Sequence, residues 1–204
     1  MSRIVRTTAL PALAVAAVLA LAGCAGGGST TTSEESSSGG SSAPESGVRQ
    51  LDAAPASGTT ITGDGYSYSV PEGWDAPPEQ AGTAQADTLA ADLNDTDGFA
   101  DNVNVLKSPA GEVSADDVET LGVDELETAG ATDVQVQERV EVAGSESAHL
   151  SATLTSANGE FVLEQYYLTE GGQTYVVTFS YSPTVDQTER TATAESILVS
   201  WSWA

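Results

Sequence analysis

The chain has 204 residues, with six Lys or Arg against thirty Asp or Glu, one Cys and one His. So acidic a balance argues against nucleic acid and against electrostatic docking on anionic lipid, both of which need basic patches. One Cys and one His are too few for a disulfide framework or a zinc site.

The N-terminus has the three parts of an export signal. Arg3 and Arg6 precede an apolar run, Ala9 to Ala22, of fourteen residues. A helix of that length spans roughly 21 Å, short of a ~30 Å hydrocarbon core, so the run reads as a signal-peptide core and not a membrane span. It closes on Leu21-Ala22-Gly23-Cys24, which resembles the bacterial lipobox. That resemblance implies acylation of the Cys24 sulfur and cleavage between Gly23 and Cys24. Ala20-Leu21-Ala22 also forms an A-x-A site, and cleavage there leaves Cys24 as an unpaired thiol. Residues 1–23 are therefore expected to be a lipoprotein signal peptide, and the expected location is the extracytoplasmic face of a cell membrane. Two or three acyl chains suffice as an anchor, at about 0.8 kcal/mol per buried CH₂.

Residues 24–58 are rich in Gly, Ser, Thr and Ala, with few large apolar side chains. Such a segment buries too little surface to offset ordering and is expected to be a disordered tether. Residues 59–204 then form one domain.

Within that domain Tyr66, Tyr68 and Val70 alternate with serines as a strand does, and Pro71 ends it. Pro71-Glu72-Gly73-Trp74 reads as a turn that folds Trp74 onto the core. Asp87 to Leu93 fits a short strand or a helical turn, and Asn102 to Lys107 a strand with Val103 and Val105 inward. Ser114, followed by acids at 116, 117 and 119, opens a helix with Val118, Leu121 and Leu126 as its buried stripe, ending at Gly130. From Val134 to Ser182 the period is two. Val134, Val136, Val140 and Val142 share one face, and Ala148, Leu150, Ala152 and Leu154 share the next strand's face. Asn158-Gly159 signals a tight hairpin. Phe161, Leu163 and Tyr167 lie on one side of the third strand and Val162, Tyr166 and Leu168 on the other, so both faces of the sheet need cover. Tyr175, Val177, Phe179 and Tyr181 make the fourth strand. Ala194, Ile197, Leu198 and Trp201 form a helical stripe, predicting a helix over 185–200 with a short aromatic tail; Ile197, Val199, Trp201 and Trp203 also alternate as a strand. The fold class is α+β: an antiparallel meander of about five to six strands covered by helices.

Tyr68-Ser69-Val70-Pro71-Glu72-Gly73-Trp74, Phe99-Ala100-Asp101-Asn102-Val103-Asn104-Val105 and Ser196-Ile197-Leu198-Val199-Ser200-Trp201 resemble the actinobacterial LpqN-type lipoproteins. The resemblance implies a PsbP/Mog1-like sandwich and an extracytoplasmic accessory or binding protein, with no catalytic residues to carry over.

The motifs for chemistry are sparse. His149 stands between Ser147 and Ser151 on one strand face, without a G-x-S-x-G elbow or an evident orienting acid, and reads as an ordinary sheet-face residue. Asp92 to Gly98 is similar to a calcium loop. Aligned on Asp97-Gly98, however, Leu93 falls where the first carboxylate belongs and Asn104 where the last Glu belongs. No metal, cofactor or catalytic residue is expected. Trp74, Tyr166, Tyr175, Tyr181 and Trp201, with Tyr167 and Trp203, either pack the core or line a sheet–helix groove for an apolar ligand. The expected activity is non-enzymatic: a monomeric binding or accessory module of the envelope, with a carrier of lipid or glycolipid as the alternative and a hydrolase as the least favoured. Its expected partners are the membrane, through the anchor, and an envelope protein or lipid.

Overall fold

The computed structural model describes residues 48–78, 86–156 and 159–204. Gly23, Cys24, the signal peptide, the tether up to residue 47 and Asn158 lie outside the described residues. The chain runs β1 (Arg49–Gln50), β2 (Thr60–Thr62), β3 (Tyr66–Ser69), β4 (Trp74–Asp75), β5 (Thr88–Asp92) and β6 (Asn102–Lys107). A helical segment follows: α1 (Ala115–Asp117), a π-turn (Val118–Gly122) and α2 (Val123–Thr128). Then come β7 (Thr132–Val136), β8 (Val140–Val142), β9 (Ser145–Ser156), β10 (Gly159–Glu170), β11 (Gln173–Tyr181), α3 (Gln187–Val199) and β12 (Ser202–Trp203).

The long period-two run folds into the meander β9-β10-β11, and the sheet grows outward from it. Its order is β1-β8-β9-β10-β11-β6-β5-β4, with β7 beside β8 on the outer edge of β9. All its pairs are antiparallel except β1 with β8. A second, small sheet has β3 between β12 and β2. The fold is thus α+β, with more strands than the meander alone implied.

One face of the large sheet is covered by the small sheet and α3. Here Tyr166 and Leu168 of β10 and Val177, Phe179 and Tyr181 of β11 meet Tyr66, Tyr68, Ile197, Leu198 and Trp201. The other face is covered by the helical segment, where Val118 and Leu126 pack on Leu150, Phe161 and Leu163. β10 is therefore apolar on both sides because each side has its own core.

Three sequence expectations need correction. The body begins before residue 59: Arg49 pairs beside β8, and Leu51 and Ala56 pack on the aromatic core. Val134 and Val136 do not share a face with Val140 and Val142. A register shift in β7 and a three-residue break before β8 turn the chain over, so Val140 and Val142 join the aromatic core while Val136 is half exposed. Leu121 is not buried but 41 % exposed. The π-turn inserts an extra residue into the helical repeat, so Leu121 rotates to the rim while Val118 and Leu126 stay inward. The helix expected over 185–200 is α3, and the short aromatic tail after it is strand β12, with Trp203 opposite Tyr66. Ser114 does cap the helical segment: its hydroxyl accepts from the Asp117 amide and donates to the Asp117 carboxylate. Asp186 caps α3 in the same way through the Glu189 amide.

Candidate functional site

The residues proposed from sequence to line a groove sit inside the aromatic core. Tyr166 and Tyr181 are 1 % exposed, Trp201 5 %, and Trp74 and Tyr175 7 %. Trp201 stacks on Tyr66 at 4.5 Å and on Tyr68 at 5.4 Å, its plane nearly parallel to both, and Tyr175 meets Tyr66 edge-on. The hydroxyls of Tyr66 and Tyr68 both bond the Thr88 hydroxyl. Burial holds the phenols of Tyr66, Tyr166 and Tyr181 well above the usual tyrosine range and pushes Tyr68 up to about 12. These rings fill space and stay neutral. Tyr66 and Tyr68 were legible as strand residues, but their stacking on a tryptophan more than 130 residues away needed the fold.

His149 has the acid that the sequence did not reveal. Its Nε2 lies 2.7 Å from a Glu164 carboxylate oxygen, and its ring stacks on Tyr166 at 4.0 Å. Arg190 of α3 approaches the other Glu164 oxygen at 3.8 Å. His149 and Glu164 lie diagonally across the β9–β10 ladder: His149 pairs with Tyr166 and Glu164 with Ser151, which puts both side chains on the same face as α3. No hydroxyl completes a triad among the described residues. Ser147 accepts from the Tyr167 amide and donates to the Ala148 carbonyl, and Ser151 accepts from the Gln137 amide group. The cluster compensates a buried carboxylate and ties α3 to the sheet.

The Asp92–Gly98 turn commits its carboxylates to backbone amides and, at Asp97, also to the Thr184 hydroxyl. Asp92 accepts from the Asn94 amide, Asp95 from Asp97 and Asp97 from Phe99. Asp101, behind them, accepts from the Ser182 amide, yet burial raises its carboxyl to about 6, with the neighbouring aspartates adding to the effect. Among the described residues no group of three or more His, Cys, Asp or Glu is placed to hold a metal ion.

The crevice that remains lies on the opposite face, between the helical segment and strands β10 and β11. Its space of about 350 Å³ includes open solvent, so it is a shallow surface crevice and not an enclosed cavity. Val113, Val118, Leu121, Tyr167 and Val176 form its apolar lining. Gly122 lets the helix come close here: a Cβ would stand 3.1 Å from Leu150 and 3.6 Å from the Tyr167 hydroxyl. Most polar groups at the crevice are committed. Tyr167 donates to Gln165, Thr174 accepts from the Val113 amide, and Asp117 accepts from Ser114. The Glu125 carboxylate accepts no hydrogen bond and joins no ion pair among the described residues, and partial burial raises its carboxyl. Sequence periodicity placed Leu121 inside and gave Glu125 no distinction; only the π-turn and the packing bring the two to one opening.

The described cations are all engaged. Arg139 forks onto Glu119 and also reaches Asp116 and Glu146. Arg49 pairs with Glu195 and Glu138, Lys107 with Asp64, and Arg190 with Glu164. Among the described residues no basic side chain is left without a carboxylate, and no helix is long and apolar enough to cross a membrane.

No family model and no curated protein matches this chain. It is similar to a crystal structure from Bacteroides thetaiotaomicron, at 12 % identity and a TM-score of 0.47 over 72 % of this chain, and spans 48 % of that one. It is also similar to LpqN of Mycobacterium tuberculosis, described as involved in cell envelope biogenesis, at 14 % identity and a TM-score of 0.48 over 71 % of this chain and 88 % of that one. The cyanobacterial PsbP of Synechocystis gives 16 % identity and a TM-score of 0.45 over 69 % of this chain and 87 % of that one.

Proposed function

We propose that this chain is a lipoprotein of the cell envelope whose folded body serves as a non-enzymatic binding or accessory module. The observation that carries the reading is Leu21-Ala22-Gly23-Cys24 at the end of an apolar run too short to span a bilayer. The body supports it by what its side chains do. The histidine is tied to a compensated glutamate, the nearby serines bond backbone or Gln137, and the buried tyrosines are held neutral. The carrier reading draws less support, because the aromatic residues expected to line a lipid groove are packed on one another.

Mass spectrometry of the mature N-terminus tests the anchor. The expected product begins at Cys24 and carries acyl chains; an unmodified chain beginning at Gly23 contradicts it. Native mass spectrometry of the purified protein tests the carrier alternative, which requires lipid to be retained.

A further inference from the structure

The crevice beside the π-turn combines two features seldom found together on this surface. It has an apolar lining that ends in a carboxylate with no partner, on a chain whose described cations are all consumed internally. Apolar ligands alone would leave the Glu125 carboxylate further desolvated and uncompensated, a cost they would have to overcome. Anionic ligands would meet Glu125, Asp117 and a strongly acidic surround. A long side chain with a cationic head satisfies both parts: its methylenes lie on apolar surface while its head stays with the acids.

We propose that the crevice between residues 115–128 and strands β10 and β11 docks a lysine or arginine side chain of a partner protein, its aliphatic stem on Leu121, Val176 and Tyr167 and its cationic head at Glu125. Charge complementarity selects this occupant. The chain carries thirty acids against four basic residues beyond the signal peptide, so a basic partner is both steered toward the body and matched at the site. The π-turn is what makes the site: it turns Leu121 out to the rim without removing Val118 from the core. Gly122 keeps the floor low enough for the Tyr167 hydroxyl to stand at the opening. This inference rests on the reading of the body as a binding module and is independent of the anchor; an unlipidated chain that still binds would leave it standing.

The test titrates the full chain, by amide chemical shifts, with a capped pentapeptide carrying one central lysine and with its twin carrying norleucine. Lysine should move the resonances of Leu121, Gly122, Tyr167 and Val176 and bind about fivefold more tightly than norleucine, a difference that shrinks as salt rises. Glu125→Gln should remove most of that difference with the rest of the spectrum unchanged. Glu141→Gln, an exposed acid on β8 away from the crevice, should remove none. Equal binding of the two peptides would assign the crevice to an apolar ligand and overturn the proposal. So would no response, or equal weakening by Glu125→Gln and Glu141→Gln, which marks general attraction to an acidic surface.

Discussion

The two faces of the large sheet are held by different means. On one, aromatic rings from β3, β10, β11 and the C-terminal tail interlock under α3, and the partly buried charges at its edge are compensated by ion pairs. On the other, a short helical segment with a π-turn covers mainly β9 and β10 and leaves a crevice, an exposed leucine and an unpaired glutamate. The comparison teaches that the residues most suggestive of a ligand site, the tyrosines and tryptophans, are those that hold the fold. The crevice proposed for docking falls where the packing is thin.

Four substitutions sharpen that contrast. Trp201→Ala removes the ring sandwiched against Tyr66 and Tyr68 and should cost about 3–5 kcal/mol, read as a lower urea midpoint. A loss under 1 kcal/mol would mean that the stack is not the core's keystone. Arg139→Ala breaks a forked pair with Glu119 and leaves Asp116, Glu119 and Glu146 to repel one another, for about 1–2 kcal/mol in the same measurement. High salt should shrink that difference.

Asp101→Asn should act in the opposite direction. Its carboxyl is raised in the folded protein from the ordinary aspartate range to about 6, chiefly by burial. The folded state therefore holds a proton that the unfolded chain has released between about pH 4 and pH 6, and stability falls as pH rises through that window. The amide keeps the acceptor for the Ser182 amide but sheds the charge. It should stabilise the protein at pH 7 by about 1 kcal/mol, after discounting for the solvent that reaches the site, and leave it unchanged below pH 4. Thermal melts at the two pH values decide. Leu121→Ser should have the smallest effect, within about 0.5 kcal/mol, because the side chain is already at the rim.

The sequence showed the meander most clearly, because alternation over β9, β10 and β11 is long and β10 alternates apolar residues on both faces. The helix start at Ser114 was also legible, since a capping residue followed by acids is a local signal, and α3 was legible from its apolar stripe. What escaped was set by irregularity or distance. The break between β7 and β8 reversed two valines, and the π-turn displaced Leu121, because each adds residues that a fixed period does not count. The partnership of His149 with Glu164 depends on cross-strand register, and that of Glu164 with Arg190 on helix docking; neither leaves a mark in local spacing. β1 was hidden by its polar, serine-rich surroundings, since a two-residue strand has no period to detect.

The division between the two faces is tested most directly by a photocrosslinking residue placed at Leu121 or at Val199, exposed apolar positions on opposite sides of the sheet. In producing cells, the expected result is a protein adduct from position 121 that disappears when Glu125 is changed to Gln, with none from position 199. Adducts from 199 alone, or equally from both and indifferent to Glu125, would contradict the assignment of binding to the thinly covered face.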